Sequence, residues 1–134
     1  MTEYSDNSPD WTHRVRFIYC GEVRFGPPYY HVELDGKLLR RWWMQPRHFG
    51  RACVWSADSR YVALQEWREV AESPDTEVRV IRLQTKRERG AFRVHGVSAE
   101  PVRFEGGKLV CTVISTDVKG RRREEERHVE VGTI

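Results

Sequence analysis

Period-two alternation runs through most of this chain, and no stretch sustains a helical period. In residues 13–20, Val15, Phe17 and Tyr19 fall on one face of an extended backbone, with Arg14 and Arg16 on the other. Turn formers interrupt the alternation at short intervals: Gly26-Pro27-Pro28, Asp35-Gly36, residues 45–50, Ala57-Asp58-Ser59 and Ser73-Pro74-Asp75. Asp-Gly supplies the positive φ values that a tight hairpin needs. Strands are therefore predicted at residues 13–20, 29–34, 37–43, 52–55, 61–67, 77–83, 91–94, 102–104, 108–115 and 127–131. The one stretch that could pass for a helix, residues 61–72, starts with a β-branched and aromatic run. It reads as a strand followed by a loop. The expected fold is all-β: antiparallel meanders of about nine or ten strands.

A chain of 134 residues, 39% hydrophobic and 11% aromatic, has enough apolar material for one core and too much for disorder. It reads as a single domain over residues 1–134, with residues 1–12 as a flexible N-terminal tail. Its apolar runs are short, such as Leu109 to Cys111, and do not make a membrane-spanning helix. The N-terminus is polar and acidic and does not resemble a secretion signal. Cys20, Cys53 and Cys111 are odd in number and widely spaced, each in an apolar stretch. That pattern argues for buried free thiols and a cytoplasmic location over a disulfide framework.

No catalytic signature stands out. The five histidines are scattered, no cysteines are closely spaced, and there is no phosphate-binding loop or nucleophile elbow. The expectation is a protein that is not an enzyme and holds no metal or cofactor. Asp58 reads as a turn former. The densest charge block, residues 121–127, cancels most of its own charge and reads as a solvated hairpin tip.

Two segments repeat each other. CVWSADSRYVALQEW followed by EVRVIRL aligns with PVRFEGGKLVCTVIST followed by RHVEVGTI. The alignment sets Trp55 against Phe104, residues 61–64 against 109–112, and Val78 and Val80 against Val129 and Val131. HVELDGKLLRRW echoes VRVIRLQTKRERG more loosely. The run Trp55-Ser56-Ala57-Asp58-Ser59-Arg60-Tyr61-Val62-Ala63-Leu64 resembles the blade signature of β-propellers, both WD-repeat and prolyl-oligopeptidase types. The resemblance implies blade-like meanders. A blade takes roughly 40 residues and a closed propeller about four blades or more, so this chain is too short to close. An incomplete propeller, sandwich or open barrel follows, with Trp55, Val62, Leu64, Val80, Phe104, Val110 and Val113 in its core.

Two surfaces are candidates for partner binding. One is the Arg-rich aromatic segment with Trp42, Trp43, Arg47, His48 and Phe49, where neighbouring tryptophans face opposite sides of a strand. The other is an acidic loop with Glu66, Glu69, Glu72 and Asp75, suited to a basic cleft. A small, Arg-rich all-β domain without a catalytic motif is similar to the bacterial immunity proteins that occlude a cognate secreted toxin, such as a nuclease. The expected partner is such a toxin domain, with no membrane involved. The alternatives are a nucleic-acid-binding module using the Arg/Trp strands, which the net charge of only +3 disfavours, and an accessory subunit of a larger assembly.

Overall fold

The computed structural model describes residues 3–23, 26–37, 39–44, 46–70 and 75–132, which form eleven strands and no helix. The strands fall into three consecutive antiparallel meanders. The first is β1 (Glu3–Asn7), β2 (His13–Glu22), β3 (Pro28–Gly36) and β4 (Leu39–Trp43). The second is β5 (His48–Trp55), β6 (Tyr61–Glu69), β7 (Asp75–Arg82) and β8 (Arg87–His95). The third is β9 (Ser98–Glu105), β10 (Lys108–Thr116) and β11 (Arg122–Glu130). One backbone pair, Tyr30 with Phe49, joins the first two meanders into a single eight-stranded sheet. The third is a separate sheet. The fold is blade-like and open.

Alternation explains the layers. Val15, Phe17, Val32 and Leu34 from the first meander meet Phe49, Val62, Leu64 and Ile81 from the second, all with no exposed surface. The opposite face of the second meander, Ala63, Val78 and Val80, packs on Ala99, Leu109 and Cys111 of the third. The second meander is thus buried on both sides, and residues 62–67 of β6 are buried without a break. Strands covered on two faces lose their alternation in the sequence. Two polar side chains fix the second interface. Gln65 Nε2 donates to the Ala99 carbonyl at 2.8 Å, and Thr76 Oγ1 accepts the Ala99 N–H at 2.8 Å.

The two outermost faces are ionic. On the first meander Arg16 pairs with Glu3 at 2.6 Å and Glu33 at 3.2 Å, and Arg41 reaches Glu33 at 2.9 Å. On the third, Arg103 pairs with Glu126 at 3.1 Å. Such faces suit water at the ends of a repeat stack.

Several expectations are corrected. The tail expected over residues 1–12 contains β1, in register with β2 from Glu3–Ile18 to Asn7–Arg14. Residues 48–50 lie in β5 and not in a loop. The charge block at 121–127 lies mostly in β11, an edge strand, and only Arg121 belongs to the turn. Cys20 is exposed, Cys53 half-buried and Cys111 buried. The repeat is real but its register shifts. Trp55 pairs with Val62, and Phe104 pairs with Leu109, so residues 62–64 match 109–111. A one-residue slip reverses the faces, which is why Leu109 and Cys111 line the core. Trp55, Phe104 and Val113 are half-buried, while Val62, Leu64, Val80 and Val110 are fully buried.

Candidate functional site

The two expected surfaces are tied to each other. Arg47, just before β5, donates from Nε and Nη2 to Glu66 at 2.8 and 2.9 Å, and from Nη1 and Nη2 to Glu88 at 3.0 and 2.7 Å. Arg79 joins through Glu88 at 2.8 Å and Glu77 at 3.2 Å. Burial pulls the Arg47 pKa down, but its hydrogen bonds to Glu66 and Glu88 overrule it and the net shift is upward. Burial likewise pushes Glu88 up, and Arg47 and Arg79 bring it below its usual value. A β-carbon on Gly90 would collide with Glu77 and Arg79, so the glycine leaves room for the cluster. Glu66, expected in an exposed loop, is 3% exposed inside β6. Phe49, expected at a partner surface, is wholly buried. Neither reaches a partner in this fold.

The other candidates scatter. Trp42 turns inward onto the core and Trp43 outward, 41% exposed, with the Arg41 guanidinium 5.9 Å from its ring. The His48 ring packs against Tyr29, tilted, with centroids 4.7 Å apart, and burial first, then the His31 charge, lowers its pKa. Asp75 accepts from His95 at 2.9 Å and from Gly96 N at 3.3 Å. Burial raises its pKa, and these hydrogen bonds with Arg93 bring it down overall. Glu69 is exposed at the end of β6. Glu72 lies outside the described residues.

A Cys–His contact does form, between the exposed Cys20 Sγ and His31 Nε2 at 3.1 Å. His31 Nδ1 is buried with no partner, so no carboxylate orients the ring as a triad requires. Among the described residues no three His, Cys, Asp or Glu side chains are placed to hold a metal ion.

The most organised surface falls in the expected tail. Four hairpin turns interlock at one end of the first two meanders. Lys37 N donates to the Thr12 carbonyl at 2.9 Å, Asp10 N to Ser59 Oγ at 3.1 Å, and Leu83 N to the Arg60 carbonyl at 3.0 Å. Lys86 Nζ lies 6.0 Å from the Trp42 ring. Asp10 anchors the first turn: its Oδ1 accepts from the Thr12 hydroxyl at 2.6 Å, the Thr12 N–H at 3.0 Å and the Ser8 hydroxyl at 2.8 Å. These bonds, the Thr12 hydroxyl foremost, hold the Asp10 carboxyl well below its ordinary range.

At the tip stands Trp11, 78% exposed, with φ of 62°. Trp11, Ser59 and Lys86 are the non-glycine residues with positive φ among the described residues, and each lies in a different one of these turns. A left-handed backbone costs an L-residue about 1–2 kcal/mol. Strain of this kind concentrates at functional surfaces. Asp10, His13, Ser59, Arg60 and Gln84 line a cleft beside the turn. Among the described residues Lys37, Arg60, Lys86 and Arg87 make no ion pair, and the carboxylates of Asp10 and Asp58 stand among them, so cations outnumber anions in these turns. Ser-Pro-Asp ahead of Trp11 is the signal the sequence carries, a turn former followed by a strand.

No protein-family model, curated protein or solved structure matches the chain. Function is therefore read from geometry. An aromatic ring held in water by a hydrogen-bonded turn, with charged side chains in the neighbouring turns, has the composition of a partner contact. No helix among the described residues is long and apolar enough to cross a membrane.

Proposed function

We propose that this protein is a non-catalytic binding module that engages another protein through its four-turn end. In its sharpest form, the reading is an immunity protein of the cytoplasm that occludes a secreted bacterial toxin. Trp11 carries the proposal: a large aromatic, 78% exposed, held in a costly conformation by a hydrogen-bonded turn. Interface energy concentrates in such anchors.

The cations Lys37, Arg60, Lys86 and Arg87 in these turns outnumber the carboxylates of Asp10 and Asp58 and favour an acidic partner surface. This reverses the expectation of an acidic patch docking into a basic cleft, since Glu66 and Asp75 are engaged within the chain. Immunity calls for tight binding, about −12 kcal/mol or nanomolar. The test is co-expression with a toxin encoded beside this gene, together with calorimetry on the purified pair. Rescue of growth and a nanomolar complex, weakened at least tenfold by Trp11→Ala, supports the reading. Full toxicity beside folded protein, with no heat of binding, ends it. Binding of single-stranded oligonucleotides by the same tryptophan and cations would move the assignment to nucleic acid.

A further inference from the structure

The third meander has three strands where the first two have four; of its two edges, β9 is held to the second meander through Ala99, and β11 lies on the other side, exposed. The hairpin fixes which backbone groups that edge presents. Asp117 N donates to the Arg121 carbonyl at 2.9 Å, and the ladder continues in unbroken register from Thr116–Arg122 to Lys108–Glu130. Narrow and wide pairs alternate in an antiparallel ladder. The odd-numbered residues of β11 therefore bond to β10, and the even-numbered ones aim N–H and C=O at the open side. All nine residues of β11 except Val129 are exposed.

A charged edge ordinarily deters stray strands. This one carries an ordered pattern, Arg-Arg-Glu-Glu-Glu-Arg-His-Val-Glu. When two copies lie antiparallel about a two-fold axis through Glu126, Arg122 faces Glu130, Glu124 faces His128, and Glu125 faces Arg127. Glu126 alone meets its like, and Arg103 already pairs with it at 3.1 Å. An axis through Glu125 would set Arg123 against Arg127 and Glu124 against Glu126. An axis through Arg127 would set Glu124 against Glu130. An axis between residues would put an outward-facing residue opposite an inward-facing one, which breaks the ladder. The pattern thus favours this register over those centred on Glu125 and Arg127. An axis through Glu124 also sets Arg122 against Glu126 and Arg123 against Glu125, but it pairs only residues 122–126 and sets Arg121 against Arg127, so the longer ladder is the one centred on Glu126.

We propose that β11 is a self-recognition edge: two copies of this chain pair antiparallel through it, and each supplies the fourth strand of the other's third meander. The other contacts that the side chains of β11 now make, Arg122–Glu124 at 2.7 Å, Arg127–Glu125 at 3.1 Å, His128–Glu126 at 3.0 Å and Lys108–Glu130 at 3.6 Å, join exposed side chains. Such pairs contribute little, so exchanging them for cross-strand partners costs little.

The test is sedimentation equilibrium of the full chain with a charge swap. Wild type forms a dimer as concentration rises, and added salt dissociates it. Glu125→Arg sets two guanidinium groups face to face, the new one against Arg127, twice across the axis, and weakens the dimer at least tenfold. The double variant Glu125→Arg with Arg127→Glu restores it. Both positions are exposed, and circular dichroism checks that each variant stays folded. Hydrogen exchange at the Glu124, Glu126 and His128 amides slows as the dimer forms. A monomer at millimolar concentration overturns the proposal. So does a dimer indifferent to Glu125→Arg, or a double variant that fails to recover.

Discussion

The guanidinium of Arg47 grips the carboxylate of Glu66 through two hydrogen bonds, 2.8 and 2.9 Å long, with the glutamate side chain 4% exposed. The sequence pattern assigns these residues to separate partner surfaces. They are partners of each other and join the segment between β4 and β5 to β6 and, through Glu88, to β8.

Glu66→Leu should therefore destabilise the fold. It leaves Arg47 with only Glu88, in a partly buried place. Breaking a buried pair from one side costs about 3 kcal/mol. Adding Arg47→Leu should recover most of that loss, since Glu88 keeps Arg79 at 2.8 Å. Urea unfolding of the two variants measures both. Equal stability of single and double variants would show that the pair is not coupled.

Trp11→Gly should move stability and binding in opposite directions. Glycine adopts a φ of 62° without the clash that tryptophan carries, so the fold should gain about 1 kcal/mol. The complex should lose its anchor. A thermal melt and a titration on one preparation read both. A melting temperature below wild type would mean that the ring supports the fold.

Two histidines should make the fold sensitive to mild acid. His13 and His48 are both held below their usual value of 6.5, burial first in each case. Asp10 and Asp35 oppose the shift at His13, and His31 adds to it at His48. Between the folded and unfolded pKa values the unfolded chain binds more protons, so stability rises with pH there. Their contribution is whole above 6.5 and is lost as pH falls below it. Denaturant midpoints from pH 7.5 down to about 5 should decline, and less steeply in His48→Gln. A flat profile would remove both histidines from the account.

Gly50→Ala should loosen the third meander. A β-carbon at Gly50 would collide with the side-chain amide of Gln65, which donates to the Ala99 carbonyl at 2.8 Å. The displaced amide would leave β9, at a cost of about 1–3 kcal/mol. Hydrogen exchange should rise in residues 98–116 before it rises in β2 and β3. Uniform loss of protection would contradict this.

Alternation and turn chemistry made ten strands legible because most have an apolar face and most end near a glycine, proline or aspartate; β6 was read from its β-branched and aromatic start although it is buried on both faces. β1 escaped because Glu3–Asn7 carries almost no apolar residues; it is held by its ladder to β2, by the pairs Glu3–Arg16 and Asp6–Arg51 and by the Tyr4–Tyr30 ring contact, none of which shows as alternation. The repeat showed two similar meanders but misplaced their register. The alignment takes the β9–β10 turn as one residue shorter than the β5–β6 turn, whereas the pairs Trp55–Val62 and Phe104–Leu109 make it two shorter, a difference that appears only in the ladder.

The candidate site was less legible for a physical reason. Whether a glutamate lies in water or under an arginine depends on which strands become neighbours. Glu66 and Glu88 are 22 positions apart, and Arg47 bonds to both. Trp11 was visible as an aromatic after Ser-Pro-Asp. Its exposure and left-handed backbone follow from the Asp10 bonds across the turn, and composition does not report those.

The double burial of the second meander bears on the order of events at the ribosome. Once β8 has emerged, the first two meanders can close on each other, yet Ala63, Val78 and Val80 still face water. They stay uncovered until residues 98–131 arrive. During synthesis the chain therefore passes through a sticky half-finished form, in which an apolar sheet face is bare. A stop codon after His95 would trap that form, and the fragment would be recovered as aggregate or bound to chaperone.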